Sequence, residues 1–174
     1  MATNKNKSNG NNEMHNKKPD SGNLKFLINA QYLKDLSFEN PKAPNSLRQI
    51  SNENAPKFQI DANVTSRPLN DHGKNIYEVE LSIKSETKTN DSTLFIVEGV
   101  YCGIFTIENA TDDVLDKILL IECPKFLFPF LRSIIANCTR EAGFPPLMIA
   151  PLLSFVCLVS ILQSVYFPQT QLQN

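Results

Sequence analysis

The chain has 174 residues, 41% of them hydrophobic and 20% charged, with a formal net charge of −1. That length suits one domain with tails, and the near-neutral balance excludes a globally basic nucleic-acid binder. The averages hide an asymmetry: the first 25 residues hold seven Asn and five Lys, whereas Ala142–Asn174 hold no Asp, Glu, Lys or Arg.

Residues 1–24 read as a disordered Asn/Lys-rich tail, because Met1–Gly22 lacks the apolar area needed to offset ordering entropy. The tail has no apolar h-region and so is not a secretory signal. Its lysines (Lys5, Lys7, Lys17, Lys18) are dispersed with no aromatic between them, which favours a solubilising tail over a nucleic-acid arm.

Residues 25–167 form the folded unit. Phe26, Ile28, Ala30 and Tyr32 alternate with Leu27, Asn29, Gln31 and Leu33, a strand that ends near Asp35–Glu39. Pro41, Pro44 and Pro56 then punctuate a long crossing. Phe58, Ile60, Ala62 and Val64 mark a second half-buried strand, and Tyr77, Val79, Leu81 and Ile83 a third. Asn70–Gly73 and Thr89–Ser92 are turn clusters.

The fourth strand, Thr93–Ile107, is apolar on both faces, so its second face calls for a helix or another subunit as cover. Thr111, followed by two acids, predicts a helix start, with Thr111 as cap and the helix Val114–Glu122 stopping before Pro124. A second helix should run from about Phe126 to Ala142, with Gly143 just past its end and Pro145-Pro146 forbidding continuation. A last helix is expected over Pro151–Phe167, and residues 168–174 form a short neutral tail. Four strands followed by helices is an α+β pattern.

Phe144–Phe167 is apolar enough to be weighed as a membrane span. Three prolines break its first third, and the uninterrupted Leu152–Phe167 makes about 24 Å of helix against the ~30 Å of a bilayer core. The expectation is therefore no integral span, with this segment covering the sheet, packing in an oligomer or presenting apolar surface.

Catalytic and metal chemistry find little support. No Cys/His pair has zinc spacing, and HExxH, Walker A, GxGxxG and GxSxG sequences are missing. Asp112, Asp113 and Asp116 fit a solvated first helical turn better than a metal site, and Ser154 and Ser160 have no base nearby in sequence. Cys102, Cys123, Cys138 and Cys157 lie in apolar settings with no CxxC spacing, as expected of reduced, buried thiols in a cytosolic protein. The reading is non-catalytic, without cofactor or metal.

Five stretches, in order, resemble the SecB family. They are Y-L-K-D-L-S-F-E-N-P-K-A-P (Tyr32–Pro44), Y-E-V-E-L (Tyr77–Leu81), F-I-V-E-G-V-Y-C-G-I-F-T-I (Phe95–Ile107), C-P-K-F-L-F-P-F-L-R (Cys123–Arg132) and G-F-P-P-L-M-I-A-P-L (Gly143–Leu152). The resemblance implies a four-stranded antiparallel sheet with helices packed on one side, assembling as a homotetrameric dimer of dimers. It implies a cytoplasmic chaperone that binds unfolded precursor proteins, keeps them translocation-competent and delivers them to the SecA motor, with no nucleic-acid partner.

By the same resemblance, Asp35, Glu39, Ile96 and Glu98 would contact SecA as an acidic patch with one apolar position. Val97, Gly99 and Tyr101 would lie near the oligomer interface. Leu47, Phe126, Phe128, Phe130, Leu147 and Ile149 are candidates for a client groove, with ordinary core packing the competing reading for each aromatic and strongest for Phe128. The chain departs from the family in a longer crossing without the usual Trp, an extended head, and a more apolar C-terminal helix without an acidic tail. Two other readings stand beside the chaperone: a SecB-like protein dedicated to one partner such as an antitoxin, and a small membrane-anchored protein using residues 144–167.

Overall fold

A computed structural model describes residues 22–48, 55–89 and 92–150. Four strands form one antiparallel sheet: β1 (Lys25–Glu39), β2 (Lys57–Pro68), β3 (Ile76–Thr89) and β4 (Ser92–Glu108), in the order β1-β4-β3-β2. Two helical segments follow, α1 (Asp112–Lys117) and α2 (Cys123–Glu141). Residues 1–21, the crossing residues 49–54 and the expected last helix over Pro151–Phe167 lie outside the described residues.

Each strand extends past the limits its alternation marks. The largest difference is in β1, which runs on through K-D-L-S-F-E to Glu39. Its pairing with β4 shifts register between Ile28 and Ala30 and again between Leu33 and Asp35. Each extra residue turns the strand over. Phe26 and Ile28 thus face the helices with Leu33, Leu36 and Phe38, while Ala30 and Tyr32 face the other way. A simple two-residue period groups all four of Phe26, Ile28, Ala30 and Tyr32 together, and the bulges correct that.

The core lies between the sheet and α2. Val79, Leu81, Val97, Phe105, Leu127, Leu131 and Ile135 have no exposed surface. Gly99 and Gly103 permit this closeness: a Cβ on Gly99 would stand 2.7 Å from Leu131 Cδ1, and one on Gly103 2.8 Å from Leu127 Cδ2. Both described helices pack on this side. The opposite face of β4 is flanked by the polar side chains of β1 and β3, with Ile96, Val100 and Ile104 half-buried.

The helices do not break at Pro124. Residues Ile118–Glu122 form a wide π turn, and Cys123 N donates to Ile118 O, five residues back. A proline clashes with the carbonyl four residues before it and has no N–H to give. The wider turn removes that conflict, so α1, the π turn and α2 are continuous and Pro124 occupies the first turn of α2. Thr111 takes the N-cap position, but its carbonyl, not its hydroxyl, meets Val114 N and Leu115 N. At the other end Gly143, at φ 87°, closes α2: its N–H donates to Arg140 O, and Phe144 N donates to Thr139 O.

Candidate functional site

The two faces of the sheet carry different chemistry. On the open face, directly opposed residues share a side. Glu39 stands opposite Ile96, Ser37 opposite Glu98, and Asp35 opposite Val100. The four positions Asp35, Glu39, Ile96 and Glu98 are therefore brought together at one corner, across β1 and β4. Asp35 and Glu39 are exposed and, among the described residues, form no ion pair. Glu98 lies 3.8 Å from Lys84, a loose and partly exposed pair. Glu86, across β3 from Ile96, adds a further carboxylate, held below the usual range by Lys88 and then by Thr93. Ile96 is thus an apolar residue ringed by acids.

Further along the same face lies a polar network. Buried Glu78 accepts from Arg67 Nε at 2.5 Å and from the Tyr32 hydroxyl. Arg67 first, and then Tyr32, hold its carboxyl below the ordinary range against the opposing effect of burial. The same hydrogen bond pushes the Tyr32 hydroxyl well above its usual value. Lys34, the residue at the second bulge of β1, reaches Glu80 at 2.5 Å. These bonds tie the edge strands β1 and β2 to β3.

The helix side carries an apolar groove of about 260 Å³. Phe58 and Ile60 of β2, Thr87 of β3, Phe95 of β4 and the extended segment Phe144–Ala150 line it, with Pro56 at its margin. The Phe95 ring lies 4.7 Å from the tilted Phe144 ring and stacks on Phe38 at 5.5 Å, so packed aromatic rings hold the groove wall. Thr139, fully buried in α2, fixes the extended segment twice: its carbonyl accepts Phe144 N and its Oγ1 accepts Leu147 N at 2.9 Å. Met148 is 62% exposed, at the open side.

Of the six groove candidates read from the sequence, Leu147 and Ile149 line this cavity. Leu47 lies outside its lining but packs on Gly143, its Cδ2 3.2 Å from where a Cβ would stand. Phe128 is core, 5% exposed. Phe126 and Phe130 are half-exposed on α2, Phe126 tilted against Phe26 at 5.5 Å and Phe130 stacked on Tyr101 at 5.7 Å. The sequence reading missed Phe58, Phe95, Phe144 and Met148 as lining. The signal was present in part: Phe58 is the apolar end of an alternating strand, and Met148 stands among prolines in an uncharged run.

Val97, Gly99 and Tyr101 all point toward α2 of the same chain. Val97 has no exposed surface, Gly99 lies under Leu131, and Tyr101 lies under Phe130. Beside them Ile28, Leu33 and Leu36 of β1 are 38–42% exposed and Phe126 and Phe130 45–49%. An apolar stripe therefore runs along the edge of the sheet next to α2.

A family model described as Preprotein translocase subunit SecB matches residues 19–160. The Protein-export protein SecB of Rhodospirillum centenum is 45% identical over 146 residues, 83% of this chain and 83% of the relative. That of Mesorhizobium japonicum is 47% identical over 123 residues, 71% of each chain. Among solved structures, a SecB-like chaperone from Mycobacterium tuberculosis in complex with an antitoxin peptide superposes with a TM-score of 0.58 at 12% identity, covering 72% of this chain and 89% of that one. At that identity the likeness shows the fold. With a family match over most of the described residues and relatives above 40% identity, the chain belongs to the SecB family.

Proposed function

We propose that this chain is a non-enzymatic export chaperone that holds non-native polypeptides in its apolar groove and presents an acidic corner to SecA. The groove carries the reading: about 260 Å³ of open, mainly hydrocarbon-lined space, walled by aromatic rings and a methionine, suits side chains of many shapes. It lies on the helix side of the sheet, whereas Asp35, Glu39, Ile96 and Glu98 lie on the open side. One molecule can therefore hold a client on one face and meet a basic partner segment on the other. Leu47, beside Gly143, and Phe126 and Phe130, on α2, extend the apolar surface available to a long client. The site of action is the cytoplasm, where precursors await export.

Self-association as a homotetramer, a dimer of dimers, is part of the same proposal. The apolar stripe of Ile28, Leu33, Leu36, Phe126 and Phe130 supports it, since a repeated contact of one surface with itself would cover that stripe. Val97, Gly99 and Tyr101 would act on assembly by seating α2, which carries two of these phenylalanines. Among the described residues no helix is long and apolar enough to cross a membrane.

The test is dilution of a chemically denatured protein into buffer without nucleotide, followed by light scattering. Suppression by the chain, with a native mass near four times 19.6 kDa, is expected. Equal aggregation with and without the chain would overturn the proposal. Reversing charge at Asp35→Lys and Glu39→Lys should abolish SecA binding while leaving suppression intact.

A further inference from the structure

The register of the sheet sets the acidic corner out in rows. Glu39, Ile96 and Glu86 face one another across β1, β4 and β3. In the next row Glu98, Lys84 and Asp61 face one another across β4, β3 and β2. Directly opposed residues share a side of the sheet, so Lys84 is a cation set between two carboxylates, beside a third and a fourth. It is also the one exposed residue of β3, all the others being buried or half-buried. The strand that runs through the middle of the acidic surface therefore raises a single side chain into solvent, and that side chain has the sign opposite to its surroundings.

Lys84 is held weakly. Its Nζ lies 3.8 Å from Glu98 Oε2, with the two side chains 53% and 43% exposed. Such a pair contributes little, because water competes for both charges. Asp61, directly opposite on β2, is exposed and, among the described residues, forms no ion pair. Opposed Cβ atoms of an antiparallel pair stand ~4.5–5.5 Å apart, within the reach of a lysine's flexible four-carbon stem. Lys84 can thus turn from Glu98 to Asp61 by side-chain rotation alone. Glu86 has no such freedom: Lys88 holds one of its oxygens at 2.9 Å and Thr93 donates to the other at 3.0 Å. A basic side chain approaching Glu98 meets Lys84 before it meets the acid, and like charges brought together oppose binding.

We propose, on the acidic-corner reading above, that Lys84 is a displaceable counter-ion that regulates docking there: it sits on Glu98 in the free chain and moves to Asp61 when a basic side chain of the partner takes Glu98. The resident lysine lowers the affinity of the corner for any cation. An isolated basic group gains little by displacing it. A partner segment that brings a cation together with an apolar side chain for Ile96 gains both contacts and displaces it. Lys84 therefore makes the corner selective for a segment carrying both features, and Asp61 is its second seat.

The experiment measures SecA binding by calorimetry at about 0.1 M salt, with the full chain and four variants. Lys84→Met keeps the stem and removes the charge, Lys84→Arg keeps a charge, and Asp61→Asn removes the second seat. Lys57→Met is the control: Lys57 is an exposed cation on the same face of β2, roughly 13 Å along the strand from Asp61 at ~3.3 Å per residue, beyond the ~10 Å screening length. Lys84→Met should bind three- to fivefold more tightly, about the factor of one exposed ion pair. Lys84→Arg should bind no more tightly than the parent, and Lys57→Met should stay within about 1.5-fold of it. Asp61→Asn should weaken binding about twofold in the parent and leave it unchanged in the Lys84→Met background. Should Lys84→Met fail to fold, Lys84→Gln carries the same test. With a parent that binds SecA, the displacement is overturned by a Lys84→Met variant no tighter than the parent, by an equal gain in Lys57→Met or Lys84→Arg, or by an Asp61→Asn effect of equal size in both backgrounds. A parent chain that binds no SecA overturns the acidic-corner reading and the displacement together.

Discussion

Gly103→Ala tests whether the close approach of α2 to β4 sets the stability of the fold. A Cβ at this position would stand 2.6 Å from Phe105 Cε2, 2.8 Å from Phe105 Cζ and 2.8 Å from Leu127 Cδ2. Carbon atoms in contact normally lie ~3.5–4.0 Å apart, so the ring and the leucine must each retreat by roughly 1 Å. Neither has room, because both are fully buried. Overpacking of this kind costs about 1–3 kcal/mol, offset by about 0.5–1 kcal/mol from the lost flexibility of glycine in a strand. For a chain of this size a net loss of about 1–2 kcal/mol lowers the melting temperature by roughly 2–8 °C. Urea and thermal unfolding at fixed chain concentration would measure it. Leu127→Ala alone should cost about 2–5 kcal/mol, and the double variant should fall short of the sum by about 0.5 kcal/mol or more, because the second change makes space for the first. A Gly103→Ala protein as stable as the parent, or strict additivity with Leu127→Ala, would refute the packing argument.

Three further outcomes follow from the geometry. Thr139→Val removes the acceptor of Leu147 N, leaves that buried N–H unpaired and should destabilise by about 1–3 kcal/mol; hydrogen exchange at Leu147 should rise by more than at Leu131. The Glu78 carboxyl is depressed in the fold by Arg67 and Tyr32, so its stabilisation is present above the unfolded carboxylate range and is lost as pH falls through the folded value. The stability gap between the parent and Glu78→Gln should therefore be larger at pH 7 than at pH 3.5, as read from urea midpoints. Burial pushes the Cys123 thiol up to about 12, so native protein at pH 8 should resist alkylation at Cys123 while urea-unfolded protein reacts rapidly.

Alternation in β2, β3 and β4 made the sheet legible, because their apolar positions fall on one face without interruption from Phe58 to Val64, Tyr77 to Ile83 and Phe95 to Ile107. It misread β1, where two bulges reverse the faces and no residue type announces them. It also ended a helix at Pro124, since local rules for proline do not foresee a π turn that removes the clash. The acidic corner was readable only through the family stretches. Nothing local to Asp35 or Glu98 says that strands β1 and β4 will lie side by side. The groove was half readable: its extended wall, Leu147 and Ile149, is a contiguous run, whereas Phe58 and Phe95 reach it from strands distant in sequence. The buried Ser85, Thr87 and Thr89 of β3 look like polar alternation in the sequence, and only the direction of the helix-covered face shows them to be enclosed.

Capture of a non-native polypeptide at the groove is the central claim, and site-directed photocrosslinking tests it most directly. A benzophenone side chain at Met148, exposed at the open side of the groove, would be irradiated with one protein presented in its folded and its denatured state. Crosslinks to the denatured state alone, reduced by excess unlabelled extended peptide, are the predicted result. No crosslink to the denatured state, or equal crosslinking to the folded one, would contradict the account.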